Sequence, residues 1–524
     1  MSKWLKEAVF YEIYPQSFQD TNSDGIGDFR GIINRLDYIK ELGCNALWIN
    51  PCFESPFNDA GYDVADYYKV APRYGTNEDL KELFECAHER GIRVLLDLVP
   101  GHTSVEHAWF QESLKAEKNE YSGRYIWTDN AWEDVTNVSG IMGSLRGISD
   151  RDGSCAVNFF SSQPSLNYGF ARVDRPWQKP VDSEEAIASK EAIKEVMRFW
   201  LKMGCDGFRV DMAHSMIKND EDSKATISFW QEFRAFLDKE FPDAAMVSEW
   251  GEPDKALLGG YHMDFLLHFG PSHYNDLFRC ENPYFSATGK GDIAQFVEYY
   301  KENYAKTKGK GFICIPSGNH DMDRMARYLT QEEMKLAFAF LLSMPGAPFI
   351  YYGDEIGMRY VENLKSVEGG FSRTGSRSPM QWDTTTVNDG FSTAAKDMLY
   401  IQQDPAADRP SVKLQQQNEA SLWKEIQRQV KIRGKEKALQ ADGDIEFLYA
   451  EENKYPFVYK RSLGEETIVI VLNPSGKSES ISNDNLSVEQ LKAGKVIYSY
   501  GEQAYTEAGK LVCPAGSVSY FKCN

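Results

Sequence analysis

Two hydrophobic rhythms alternate along most of the chain. The first is a short, nearly unbroken apolar run, seen at residues 8–18, 45–50, 92–99, 207–211, 244–250, 311–317 and 348–352. Such runs, bounded by turn residues, read as strands buried on both faces and hence as parallel strands covered by helices. The second rhythm has the helical period. Ile32, Leu36, Ile39 and Leu42 fall on one face of residues 31–42, and similar faces run over 78–90, 184–203, 229–241 and 332–344. Gly43, Gly91 and Gly204 stand where three of these helices should stop.

Strand–helix units repeated in this way predict a (β/α)8 TIM barrel; a doubly wound sheet is the alternative on rhythm alone. Residues 103–182 break the rhythm. They are rich in Trp, Asn, Ser, Gly and Asp and show no clear helical face. Loops of that length without structure of their own are uncommon, so an inserted small domain over the barrel mouth is expected. After about residue 445 the pattern changes to short strands separated by turn signals, which predicts a β-sandwich. The expected units are a barrel of 1–102 and 183–444, an inserted domain of 103–182 and a C-terminal domain of 445–524.

Composition narrows the partners. The formal net charge is −20 over 524 residues. Phosphate-rich nucleic acid and anionic membranes would be repelled, so neither is expected as a partner. No run of ~18 apolar residues predicts a membrane span, and the first residues lack an apolar signal-peptide core. The nine cysteines are scattered and form no Cys-x-x-Cys pair. Reduced, mostly buried thiols in a cytoplasmic monomer or small homo-oligomer fit that usage. One turn is strongly acidic. Asp20, Asn22, Asp24 and Asp28, with Gly25 and Gly27 between them, offer oxygen ligands suited to calcium. The alternative is a turn closed by its own Asx hydrogen bonds.

Carboxylates and histidines recur at the strand ends: Asp97 and His102, Asp211, Glu249, and then Asn319-His320-Asp321. Strand ends are where barrels of this kind do chemistry. Arg209 and Asp211 lie two residues apart and so share a strand face. A structural ion pair is one reading. The other is a nucleophile kept ionised by its guanidinium neighbour. Glu249 ends the next strand of the series, and Trp250 beside it offers an apolar wall that would raise its pKa. Two carboxyls with opposed environments are what a retaining glycosidase requires.

These residues carry a resemblance to the alpha-amylase superfamily of glycoside hydrolases over nearly the whole chain. Within it the chain is most similar to the oligo-1,6-glucosidase and alpha-glucosidase group. The matched stretches are Asp97-Leu-Val-Pro-Gly-His102, Gly207-Phe-Arg-Val-Asp211, Ser248-Glu-Trp250 and Gly318-Asn-His-Asp321. Gly61-Tyr-Asp-Val-Ala-Asp66, Gln163-Pro-Ser-Leu-Asn167 and Ser376-Arg-Ser-Pro-Met-Gln-Trp382 match three more motifs.

The resemblance implies Asp211 as nucleophile, Glu249 as general acid/base and Asp321 as a third carboxylate binding sugar hydroxyls. It implies that Arg209 orients Asp211, that His102 and His320 bond hydroxyls of the first glucosyl unit, and that Tyr62 stacks beneath that ring. Asp63 and Arg377 would close the pocket around a non-reducing glucose, giving exo action. Asp20, Asn22, Asp24, the Ile26 carbonyl and Asp28 would hold calcium. Asp97 is expected to support the site without touching sugar.

Three positions depart from the family pattern. Gly101 stands where Asn is usual, Ser165 where Asp is common, and Met212 where α-1,6-active members tend to have Val. The activity expected is retaining exo-hydrolysis of short α-1,4- or α-1,6-glucosides, sucrose included. The alternatives are a transglucosylase or sucrose isomerase on the same site and, remotely, a non-catalytic transporter-associated relative.

Overall fold

The computed structural model describes residues 2–482 and 488–523; residues 1, 483–487 and 524, which fall within the expected first and last units, lie outside the described residues. Eight strands form one parallel sheet: β1 Phe10–Ile13, β2 Ala46–Ile49, β3 Arg93–Leu98, β4 Gly207–Val210, β5 Ala245–Ser248, β6 Met263–Phe265, β7 Phe312–Cys314 and β8 Phe349–Tyr351. β1 to β7 pair in sequence order, and β1 also pairs with β8. A bridge from Pro316 to Phe349, with the Ser317 N–H donating to the Phe349 carbonyl at 2.8 Å, joins the remaining edges. The sheet is thus a nearly closed (β/α)8 barrel, with no doubly wound crossover.

Seven of the eight strands follow the apolar runs in the sequence. β6 does not. It is three residues long, with Asp264 in the middle. That carboxylate is fully buried and accepts from the Ser248 hydroxyl at 2.6 Å and the Trp250 N–H at 3.2 Å. A polar centre in so short a run hides the strand from any periodicity.

Helices α1 Phe29–Leu42, α2 Asn77–Glu89, α3 Glu184–Met203 and α4 Lys224–Glu240 follow their strands, and the first three are capped by side chains at their N-termini. Asp28 caps α1 by accepting from the Gly31 N–H, and Gly43 ends it in the left-handed region at φ 104°. Thr76 and Asp79 form a reciprocal capping box on α2. Gly207 opens β4 at φ 142°, and a Cβ there would stand 1.9 Å from the Ala245 carbonyl oxygen. Only glycine lets β4 and β5 approach so closely.

Residues 103–182 carry a short helix, Ala108–Ser113, and a hairpin of Gly143–Leu145 with Cys155–Val157, where no helix was expected. Their small apolar cluster includes Ile126, Ile141, Phe170 and Trp177. A bridge from His102 to Ser165 ties the segment to the end of β3. From Asp444 onward, a five-stranded antiparallel sheet faces a three-stranded one, with Val458, Val471, Leu511 and Phe521 packed together in a separate apolar cluster. One helix, Val488–Ala493, interrupts the strands expected there. All nine cysteines are free. Among the described residues no helix is long and apolar enough to cross a membrane.

Candidate active site

The barrel's register sets the site. Val210 pairs with Ser248, so Asp211 and Glu249 leave neighbouring strands at one level. Their N–H groups still belong to the ladder: Asp211 donates to Leu98 and Glu249 to Val210, both at 2.9 Å. One strand earlier, Asp97 pairs with Arg209. Asp211, Glu249, Tyr62, His102 and Asp321 thereby converge on one cavity of about 610 Å³ at the carboxyl ends of the strands. Phe159, Phe160, Phe269 and Phe371 give it apolar walls.

Arg209 is the centre of one side. It is 1% exposed and touches three carboxylates: Asp97 at 2.9 Å, Asp211 at 3.0 Å and Glu249 at 2.9 Å. Asp97 also accepts from the Trp48 indole and the Tyr62 hydroxyl, each at 3.0 Å. Arg209 was expected to keep Asp211 ionised. Instead burial, and next the Glu249 charge, push the Asp211 carboxyl well above its ordinary range against the pull of Arg209. The physical reason is stoichiometry. One guanidinium is shared among three buried carboxyls, so its pull on Asp211 is diluted. A carboxyl pair sharing one proton can supply an ionised nucleophile and a protonated acid together.

The residue after Asp211 is unusual. Met212 adopts left-handed φ 42°, ψ 43°, and its N–H donates to Glu249 Oε2 at 3.1 Å. A non-glycine residue there stores backbone strain of about 1–3 kcal/mol. That turn aims an N–H at the second carboxylate. Trp250 lines an adjoining cavity together with Met212 and His214.

Asp321 anchors the opposite side. It meets His320 Nε2 at 3.1 Å, Arg373 at 2.8 Å and Arg377 at 2.9 Å. Burial opposes its charge, but His320, Arg373 and Arg377 outweigh it and hold the carboxyl well below its ordinary range. His320 is itself raised: burial works against its charge, while Asp321 and Glu12 favour it more strongly. Its ring stacks on Tyr62 at 5.3 Å, and its Nε2 lies 2.7 Å from the Tyr62 hydroxyl. His320 therefore stands behind the cavity lining, bracing Tyr62 and Asp321.

Two residues expected at the pocket end lie elsewhere. The Asp63 carboxylate is buried beneath its own loop, accepting from the Ser55 hydroxyl and the Asn58 and Asp59 N–H groups. Arg377 is 1% exposed and braces Asp321 from behind, also donating to the His320 carbonyl. Asp59 and Arg373, joined at 3.3 Å, line the cavity instead. Asp59 also accepts from Gln163 at 2.9 Å. The sequence did contain a signal: Asp59 precedes the Gly61-Tyr62 stretch and Arg373 lies one turn before Arg377. It did not say which member of each pair faces inward.

His102 lines the cavity. Its Nε2 lies 3.0 Å from the Tyr62 carbonyl, its Nδ1 lies 3.2 Å from the Asn158 amide nitrogen, and burial pushes it down to about 4.

The acidic turn closes on itself. Asp20 accepts from the Asn22, Ser23 and Gly25 N–H groups and from Ser392 Oγ. Asp24 accepts from the Ile26 N–H, and Asp28 from Thr21 and Gly31. Among the described residues, no three acidic, His or Cys side chains gather as a metal cluster. As placed, these carboxylates serve the turn and the α1 cap.

The comparisons agree with the architecture. The family model of the alpha-amylase catalytic domain matches residues 12–442. The trehalose synthase/amylase TreS of Mycobacterium tuberculosis is 34% identical over 474 residues, 80% of this chain and 72% of its own. The oligo-1,6-glucosidase of Parageobacillus thermoglucosidasius is 31% identical, with 91% of each chain covered. A trehalulose synthase MutB variant in complex with Tris superposes with a TM-score of 0.80 at 25% identity, over 99% of this chain and 100% of that one. With a matching family model over most of its length and relatives of this kind, the chain belongs to the alpha-amylase family of glycoside hydrolases.

Proposed function

We propose that the protein is a retaining exo-α-glucosidase acting on short α-glucosides. The observation that carries the proposal is the single guanidinium of Arg209 bonded to both Asp211 and Glu249. One cation holding both groups suits the carboxyl separation of ~5–5.5 Å found in retaining enzymes. In the first step an Asp211 oxygen bonds to the anomeric carbon. The glycosidic C–O bond breaks, and the proton on Glu249 passes to the leaving oxygen. In the second step water attacks the same carbon and gives its proton to Glu249, and the bond to Asp211 breaks. Asp321, kept ionised by its three cationic neighbours, accepts from sugar hydroxyls. Tyr62 carries the ring face and His102 bonds a hydroxyl. The Asp59–Arg373 bridge limits the pocket to one terminal glucosyl unit.

A second reading shares the site. Four phenylalanines around the cavity offer apolar faces to an acceptor sugar and keep water from the intermediate, which favours transfer or isomerisation. Relatives include trehalose synthases as well as oligo-1,6-glucosidases. Product analysis on maltose, isomaltose and sucrose separates the readings. Free glucose as the sole early sugar released from maltose and isomaltose supports hydrolysis; early isomeric disaccharides refute it in favour of transfer.

Calcium at the Asp20–Asp28 turn is a separate proposal, resting on the oxygen chemistry of Asp20, Asn22, Asp24, Asp28 and the Ile26 carbonyl. No catalytic step passes through it. A fall in Tm on chelation, absent in Asp24→Ala, would support it; an unchanged Tm with no ion in the purified protein would dismiss it.

A further inference from the structure

Gly101 departs from the family pattern just before His102, and the space beside it is not empty. A Cβ at 101 would stand 2.6 Å from Asn158 Nδ2, 3.2 Å from Met216 Cε and 3.3 Å from Ser215 Oγ. The place of a side chain at 101 is thus occupied by an amide reaching in from the segment that follows β3.

The orientation of that amide is determined by its partners. Lys218 is 1% exposed, and its Nζ lies 3.0 Å from Asn158 Oδ1 and 2.6 Å from the Ser215 carbonyl. Burial pushes this amine down to about 7. Charged or neutral, it keeps hydrogens for both acceptors. The amide oxygen therefore faces Lys218, and the NH2 group faces Ser215 Oγ and His102 Nδ1, each at 3.2 Å. A weaker contact runs from the same nitrogen to Met212 Sδ at 3.8 Å. A donor opposite Nδ1 makes Nδ1 an acceptor, which leaves the ring hydrogen on Nε2. The far side of the ring agrees, because Nε2 faces the Tyr62 carbonyl, an acceptor, at 3.0 Å.

We propose that Asn158, oriented by Lys218, is a positioning residue that replaces the side chain absent at Gly101 and fixes the Nε2–H tautomer of His102. The Nε2–H, which donates to the Tyr62 carbonyl at 3.0 Å, is then shared with a sugar hydroxyl on the cavity side. The kinetic part of this inference rests on the α-glucosidase reading; the tautomer part does not.

The test uses the full chain labelled with 15N-histidine, with the His102 signal assigned by its loss in His102→Gln. The expected wild-type spectrum shows a protonated Nε2 and an unprotonated Nδ1. Asn158→Asp presents only acceptor oxygens to Nδ1 and should move the proton there. A protonated Nδ1 in the wild type would overturn the proposal, as would an Asn158→Asp spectrum identical to it. Asn158→Leu should raise KM for a short α-glucoside roughly tenfold with a smaller change in kcat, as for one lost hydrogen bond. An unchanged KM alongside a shifted tautomer would count against the sugar contact alone. Gly101→Ala should lower Tm, and Gly101→Ala with Asn158→Gly should recover it. Failure to recover would overturn the exchange of space.

Discussion

The two sides of the cavity invert one another. Around Arg209, three carboxyls share one cation; around Asp321, three cationic side chains share one carboxyl. Burial raises both carboxyls, yet the balance of charges leaves Asp211 pushed up and Asp321 pushed down. Charge ratio, and not burial, decides the sign. The first side favours the protonated form of Asp211. The second is built to remain charged whatever happens beside it. Under the proposed mechanism, the group that exchanges a proton and the group that stays charged differ in their count of neighbours of opposite charge.

The largest expected effect is on turnover. Asp211→Asn or Glu249→Gln should lower kcat by about 10³-fold or more, the range for losing a nucleophile or a general acid. Steady-state kinetics on maltose with circular dichroism as a folding control would check this. A near-native rate in either variant would dissolve the contrast.

The sharper test is stability, where the signs should oppose. Asp211 is raised, so folding at neutral pH carries a cost that grows as pH rises from the unfolded value near 4 toward the folded one. Asp211→Asn removes that cost and should stabilise the protein at pH 7. Asp321 is lowered, so its contribution is present above the unfolded value, and Asp321→Asn should destabilise. Each change should be about 1–3 kcal/mol by urea denaturation. Shifts of the same sign would refute the charge-ratio account.

Histidines extend the comparison with a smaller effect. His320 lies between Glu12 and Asp321 and is raised; its contribution is full below the unfolded value near 6.5 and fades as pH rises through the folded one. His102 has no carboxylate partner and is depressed to about 4, so stability is lost as pH falls from 6.5 toward 4. The His102 share is on the order of 3 kcal/mol at most. Denaturation midpoints of His102→Gln and His320→Gln between pH 4 and 8 should show opposite slopes relative to wild type.

The smallest effect concerns the cavity end. Arg373→Ala opens the Asp59 bridge and should raise KM for disaccharides roughly tenfold, as for lost charge-assisted hydrogen bonds, while longer oligosaccharides lose less. Equal losses on all chain lengths would place Arg373 outside the pocket.

Asp211 and Glu249 were readable as strand-end carboxylates facing one cavity because strand-end positions are fixed by barrel register, which hydrophobic runs reveal. Met263–Phe265 escaped because a buried Asp264 interrupts three residues. The choice between Asp59 and Asp63, or between Arg373 and Arg377, was not readable, since loop side chains turn according to contacts made across the molecule. Nor was the effect of a shared Arg209: the sequence shows Arg209 beside Asp211 but not that Asp97 and Glu249 claim it too.

The left-handed turn at Met212 bears on how such an enzyme could change. A β-branched residue tolerates that backbone poorly, and the N–H it presents is bonded to Glu249. Met212→Val would therefore alter more than the shape of the sugar pocket. It would press on Glu249, the acid of the proposed mechanism, as well. Under the proposed activity, a change of residue at position 212 therefore bears on both the pocket wall and the hydrogen bond to Glu249.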